Sequence, residues 1–271
     1  MSSPWSPLRI RVFRALWIAG LVSNIGTFMH IAAAGWTMTT LTESPTLVGL
    51  VQTAWAVPGF LLALHAGAFA DMVDRRRLIA ITQVVALIIA GALAVMQWSD
   101  LLSVNWLLAG TFFESIALTI SAPAFMALTP EIVDVEHLPQ AIGLDSISRN
   151  IAQSVGPALA GLLIALFNPG AVFALNAFSF IGIVFVAQHY KSSALPIERQ
   201  RGVNHAIGEG IKHIVGAAHL RNVALRLTVV LGATSALTSV MPVVAKENLD
   251  VSASGFGLLS GALGVGAVAA V

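Results

Sequence analysis

The chain of 271 residues contains no cysteine, and only 10% of its residues carry a charge. The missing cysteine excludes a disulfide framework, thiolate chemistry and Cys-ligated metals. So little charge, set against 57% hydrophobic residues and a mean hydropathy of +0.85, excludes a soluble domain. No HExxH motif and no P-loop are present, so the signatures of a zinc protease or a nucleotide hydrolase are lacking. A formal net charge of +1 gives a nucleic acid nothing to bind. The chain reads as an integral membrane protein without cofactor or metal, and its expected partners are the lipid bilayer and whatever crosses it. A membrane-embedded enzyme is the alternative from another class, but the residues supply none of its chemistry.

What the sequence does have is long apolar runs. Residues 16–41, 47–70, 78–98, 171–187 and 227–245 are uncharged and long enough to cross about 30 Å of hydrocarbon as helices. Residues 104–128 and 138–167 also fit, although the first holds Glu114 and the second Asp145 and Arg149. That makes seven spans, and an eighth begins near Gly255 and is still apolar at Val271, so the chain is expected to be cut short. Arg9, Arg11 and Arg14 followed by an apolar run resemble a signal peptide, but 16–41 is too long for an h-region and reads as an uncleaved span.

The basic residues orient this layout, because cytoplasmic loops hold the excess of Lys and Arg. Three arginines precede the first span, Arg75, Arg76 and Arg77 follow the second, and Lys191, Arg199, Arg201, Lys212, Arg221 and Arg226 follow the sixth. The other side receives only Lys246, and Arg149 lies inside a span. The N-terminus and the long connection are then cytoplasmic. The expected domains are a six-helix unit over 1–190, a cytoplasmic linker over 191–226 and the start of a second transmembrane unit over 227–271. In the linker, Val203, Ile207, Ile211, Ile214, Val215 and Ala218 recur at helical spacing, as in an amphipathic helix on the membrane surface. His205, Glu209 and His213 share its other face, and are read as its solvated stripe rather than as metal ligands.

Between the second and third spans stands Gly67-Ala-Phe-Ala-Asp71-Met-Val-Asp74-Arg75-Arg76-Arg77, a tight charged turn. Gly67, Asp71, Arg75 and Arg76 match the loop motif of the major facilitator superfamily, which this chain resembles. Asp74 stands where that motif has its second glycine, and Met72 where it has its first basic residue. In the fifth span, Ala152-Gln-Ser-Val-Gly156-Pro157-Ala-Leu-Ala160-Gly161 resembles the signature of the drug/proton antiporter branch through Gly156, Pro157 and Gly161. Its physical content is a helix lacking one backbone donor and carrying a small-residue stripe, which permits a bend and a close helix approach. Leu16-Trp17 to Ser23-Asn24, Ala122-Pro123-Ala124, Pro130-Glu131 and Asn150 to Pro157 resemble a bacterial branch that exports siderophores and drug-like compounds.

The resemblance implies an all-helical fold of two six-helix halves around a central cavity, in the bacterial inner membrane, exporting an amphipathic small molecule in exchange for protons by alternating access. The six-helix half would here be followed by only the beginning of the other half, and roughly four more spans would be needed. It also implies that the Asp71 loop latches the cytoplasmic side of one half against the other. The arginine that many antiporters carry in span four is absent from Trp106-Leu-Leu-Ala-Gly110, so coupling through that residue does not carry over. A truncated product that inserts without transporting, and acts only as a binding or assembly partner, is the second expectation.

Charge within hydrocarbon is costly and turns toward a cavity or a partner, which makes Glu114, Asp145 and Arg149 the proton-coupling candidates. Asp145, Arg149, Ala152 and Gly156 share one stripe of span five, expected to face the central cavity. Asp145 is expected to pair with Arg149 one turn away. Ser23, Asn24, Thr27 and His30 on span one are candidates for the opposite wall. For His30 and His65, a packed, hydrogen-bonded neutral histidine is the first reading and a proton carrier the second. Phe28, Met29, Trp36, Trp55, Phe112, Phe113 and Met126 are divided between a substrate site and lipid or helix contacts, and Trp98 and Trp106 fall at span ends, where indole favours the interface. Counting inward at 1.5 Å per residue puts Glu114 and Arg149 about 14 and 15 Å deep from opposite faces, and an ion pair between them is expected.

Overall fold

The computed structural model describes residues 3–189 and 218–269. The amphipathic linker helix and its His205, Glu209 and His213 fall outside the described residues. After a short 3-10 turn at Ser6–Arg9, the described chain forms α1 (Arg11–Leu41), α2 (Pro45–Met72), α3 (Arg75–Trp98), α4 (Val104–Ile132), α5 (Leu138–Leu166), α6 (Pro169–His189), α7 (Ala218–Val243) and α8 (Ala253–Ala269). No strand occurs among the described residues.

The helices α2 to α6 begin where the sequence supplies a start. Pro45, Pro139 and Pro169 occupy first-turn positions, where the missing N–H costs nothing. The Ser103 hydroxyl accepts from the backbone N–H of Trp106 to cap α4, and Asp74 caps α3. Ends are equally local: Asp100 and Asp250, at φ 55° and 48°, take the left-handed conformation after α3 and α7, which aspartate tolerates better than most residues. Among the described residues six helices are long and apolar enough to cross a membrane. The 29-residue α5 is long enough but more polar, and its polar side chains turn out to line a cavity.

Sequence neighbours are not always spatial neighbours here. α1 packs mainly on α5 and α6, α2 on α4, α3 on α6 and α4, and α5 on α8. α4 and α5, although consecutive in the chain, touch only slightly. Adjacency in the chain therefore gives no basis for a Glu114–Arg149 pair.

Apolar packing closes the bundle unequally at its two ends. The largest cluster joins Met38, Val48, Leu93, Leu107, Phe173, Val243 and Phe256 at the end away from Arg75–Arg77. There Trp36 stacks on Phe256 at 5.6 Å and the Lys246 ammonium donates to the Thr39 carbonyl, tying α1 to α8 and to the turn at Val244–Asn248 that follows α7. Smaller clusters around Leu78 and Leu128, and around Phe13 and Leu144, hold the arginine end. Trp98 and Trp106 are more than half exposed at helix ends, as interfacial indoles are.

Candidate functional site

Between the large cluster and the arginine end lies a cavity of about 340 Å³. One face of α1 supplies Trp17, Ser23, Asn24, Thr27 and Phe28, while α5 faces it with Asp145, Ser148 and Arg149. Asn24 donates to the Ser148 hydroxyl at 3.3 Å and the Trp17 indole N–H donates to the Leu144 carbonyl at 2.9 Å, so α1 and α5 are fastened along this wall. Trp55, Phe125 and Met126 give the remainder an apolar surface. Ser23, Asn24 and Thr27 thus line the cavity, and His30 does not.

Asp145 and Arg149 face the cavity together, one turn apart. Thr129 of α4 and the Arg149 charge are the polar neighbours that reach the Asp145 carboxyl. The stripe on α5 is split, in contrast to the expectation that all of it faces the cavity. Its charged half lines the cavity, while Ala152 and Gly156 are buried. Gly156 lies against α1, where an added Cβ would come within 2.7 Å of the Phe28 Cβ and 3.2 Å of the Ile25 carbonyl oxygen. The Pro157 carbonyl and Gly161 press on α8 at Gly257. The Gly-Pro motif is therefore a packing surface for two helices, because only side-chain-free stretches allow backbones so near.

Glu114 is fully buried and outside the cavity. Asn176 of α6 donates to its Oε1 at 2.7 Å, and the His30 Nδ1 of α1 lies 3.3 Å from its Oε2. This corrects the Glu114–Arg149 pair. His30 is packed as expected, tilted against Phe173 at 5.0 Å, but neither ring nitrogen makes an aligned hydrogen bond. His65 differs from its expectation, being exposed on α2. Of the aromatic and methionine candidates, Phe28, Trp55 and Met126 line the cavity, Met29 and Trp36 join the large cluster, and Phe113 is exposed.

At the arginine end, Gly67 and Asp71 lie in the last turns of α2. The side chain of Asp71 lies outside the described set. Arg75 forms an ion pair with Glu131 of α4, and Arg76 reaches Asp74 at 3.3 Å. The aspartate that replaces the motif's second glycine is the N-cap of α3, accepting from the backbone N–H of Arg76 at 2.9 Å and of Arg77 at 3.2 Å. Burial works against its charge, but the Arg77 backbone N–H and the Arg76 guanidinium outweigh it and hold the carboxyl below its usual range. A depressed folded-state pKa contributes stability above the ordinary carboxylate range, and the contribution is lost as pH falls through the lowered value. Asp74→Ala is therefore expected to cost about 1 kcal/mol near neutral pH. The gap between variant and wild type should close in acid, as measured by thermal unfolding of detergent-solubilised protein at both pH values.

Sequence reasoning passed over Gln83, Ser121, Thr129 and Asn176. Gln83 is buried on α3, lines the cavity and keeps its side-chain carbonyl oxygen without a partner. Ser121, Phe125 and Thr129 recur at intervals of four on α4, one face with a hydroxyl at either end that could have been read. Asn176 carried no signal, since a lone amide in an apolar helix has no spacing to interpret.

The described helices thus form a membrane-type bundle with a polar-walled interior cavity. The chain belongs to the major facilitator superfamily, in the family described as transmembrane secretion effector, whose model matches residues 2–271. It is 26% identical over 180 residues to the staphyloferrin A transporter of Staphylococcus aureus, covering 65% of this chain and 45% of that protein. It is also 26% identical over 260 residues to an enterobactin exporter of Shigella boydii, covering 94% of this chain and 61% of that one. The crystal structure of a bacterial homologue of the human lysosomal transporter Spinster, inward-facing and unoccupied, superposes with a TM-score of 0.76 at 14% identity. That likeness covers 97% of this chain and 60% of the other, and it shows the fold. The chain spans about half the length of the curated relatives it matches.

Proposed function

We propose that the protein is a secondary active transporter that exports an amphipathic small molecule, a siderophore or drug-like compound, in exchange for protons. The observation that carries this reading is the cavity: one wall bears Asp145 and Arg149 beside Ser23, Asn24 and Thr27, and the rest is aromatic and apolar. A molecule with an ionised or hydrogen-bonding head and an apolar body fits that division. The names of the staphyloferrin A and enterobactin relatives support the substrate class.

The positive-inside rule puts the N-terminus and the Arg75–Arg77 turn on the cytoplasmic side of the bacterial inner membrane. The sealed end is then the outer one and the cavity is approached from within, ready to load cargo for export. Alternating access would break the Trp36–Phe256 and Lys246–Thr39 contacts at the outer end and close the arginine end, where the Asp71 turn acts as a latch. Transport, not catalysis, is the activity this arrangement suits.

The test is efflux. The complete open reading frame, expressed in a strain stripped of its own exporters, should lower accumulation of a catecholate siderophore or of a lipophilic dye. The effect should disappear when a protonophore collapses the proton gradient. Accumulation unaffected by expression, for a panel covering both classes, would overturn the reading.

A further inference from the structure

We infer that Glu114, His30 and Asn176 form a one-proton site behind the substrate cavity, joining α4, α1 and α6, and that its state is passed to the cavity through α1. This rests on the proton-exchange reading above and adds where the proton resides.

The three side chains come from helices far apart in sequence, and each is fully buried. Asn176 fixes Glu114 Oε1 at 2.7 Å, leaving Oε2 as the free oxygen, 3.3 Å from the His30 Nδ1. Oε2 and both imidazole nitrogens are buried without an aligned hydrogen bond. Leaving such atoms unmet is costly, at about 1–3 kcal/mol each. One proton placed between Oε2 and Nδ1, with a small turn of the ring, meets two of them at once. A purely structural carboxyl would be expected to have both oxygens satisfied.

Close backbone approach makes the cluster possible. Gly26 of α1 lies so near α6 that an added Cβ would be 2.9 Å from the Asn176 Oδ1 and 2.7 Å from the Ser179 Oγ. His30 follows one turn later on the same helix. Among the described residues, His30 is the titratable group facing Glu114 from α1, and Asn176, which does not titrate, faces it from α6. From the other elements packed on α4, the charged groups point elsewhere: Arg75 of α3 to Glu131, and Asp145 and Arg149 of α5 into the cavity, while His65 of α2 is exposed.

In the loaded state Oε2 carries the proton and His30 is the neutral tautomer with hydrogen on Nε2. Rotation of the ring lets Nδ1 accept the proton, giving a carboxylate and an imidazolium. The imidazolium then releases its Nε2 proton to water entering from the cavity, leaving the carboxylate bonded to Asn176 and to the Nδ1 hydrogen. Thr27, three residues before His30 and on the cavity wall, marks the way in. α1 presents His30 to Glu114 and Ser23, Asn24 and Thr27 to the cavity, so the state of the site reaches the cavity wall through that one helix.

Infrared spectroscopy of the purified chain in lipid, titrated through neutral pH without any substrate, reads the site directly. The wild type should show a buried carboxylic-acid carbonyl band that titrates. Glu114→Gln should lose that band, Asp145→Asn should keep it, and Asn176→Leu should shift its frequency through loss of the hydrogen bond to Oε1. Should Glu114→Gln fail to fold, the Asn176→Leu and Asp145→Asn results decide on their own. A band that survives Glu114→Gln, vanishes in Asp145→Asn or is unmoved by Asn176→Leu overturns the assignment, as does a wild type without a titrating band. Protonophore-sensitive export that is unaltered in Glu114→Gln would overturn this site while leaving the transport reading intact. A titrating band without export does the reverse.

Discussion

Gly156→Val is expected to unseat α1 from α5 and destroy the cavity between them. An added Cβ there meets the Phe28 Cβ at 2.7 Å, the Met29 backbone nitrogen at 3.1 Å and the Ile25 carbonyl oxygen at 3.2 Å. Two of the three are backbone atoms, so rotation of a side chain cannot relieve the clash and the helices must part. Overpacking of this kind costs about 1–3 kcal/mol. The loss falls on the wall that Asn24–Ser148 and Trp17–Leu144 hold together, so ligand binding should fail with it. Gly182→Ala is the control: its added Cβ would meet the Ala19 Cβ at 3.6 Å, an ordinary contact, and stability should be unchanged. The melting temperature in detergent separates the two, and a Gly156→Val protein that melts with the wild type would mean that α1 and α5 are not packed at this point.

Arg149→Ala is expected to weaken binding of an anionic amphiphile about 10- to 100-fold, since a hydrogen bond to a charged group contributes about 1.5–3 kcal/mol and each 1.4 kcal/mol is tenfold. Arg149→Lys should recover part of the loss, because it restores charge without the guanidinium fork. Asp145→Asn should leave the affinity unchanged or raise it, since it removes a like charge beside the ligand. A dansyl-labelled anionic amphiphile, read by energy transfer from Trp17 and Trp55 on the cavity wall, supplies the measurement. Equal affinity in all four proteins would remove Arg149 from the binding wall.

Much of the site was legible because helical periodicity is a local property. Ser23, Asn24 and Thr27 fall on one face of α1, and Asp145 and Arg149 on one face of α5, whatever surrounds those helices. The same rule failed farther along each helix. His30 shares the face of Thr27 by spacing, yet α6 approaches at Gly26 and Phe173 and encloses the imidazole. Ala152 and Gly156 share the face of Arg149, yet both are buried, and α1 closes over Gly156. A helix face is a direction, and what it meets changes along a helix of about 30 residues as neighbours cross it.

The Glu114–Arg149 expectation failed for a related reason. Depth in the membrane follows from counting residues and was a sound constraint, but adjacency was taken from chain order. α4 and α5 touch only slightly, and the carboxylate of one meets His30 and Asn176 while the guanidinium of the other lines the cavity.

The sequence by itself determined the membrane class, the helices and the family, because hydrocarbon length, the cost of charge in lipid and the Gly-Pro and arginine motifs are all properties of contiguous residues. Which buried polar groups meet was decided only in the tertiary structure. Glu114, His30 and Asn176 lie 62 or more positions from one another in every pairing, and their contact depends on how α1, α4 and α6 cross. That crossing is set by small residues such as Gly26 and Gly156, whose effect is to let a distant backbone come near, and no spacing along the chain records which backbone it will be.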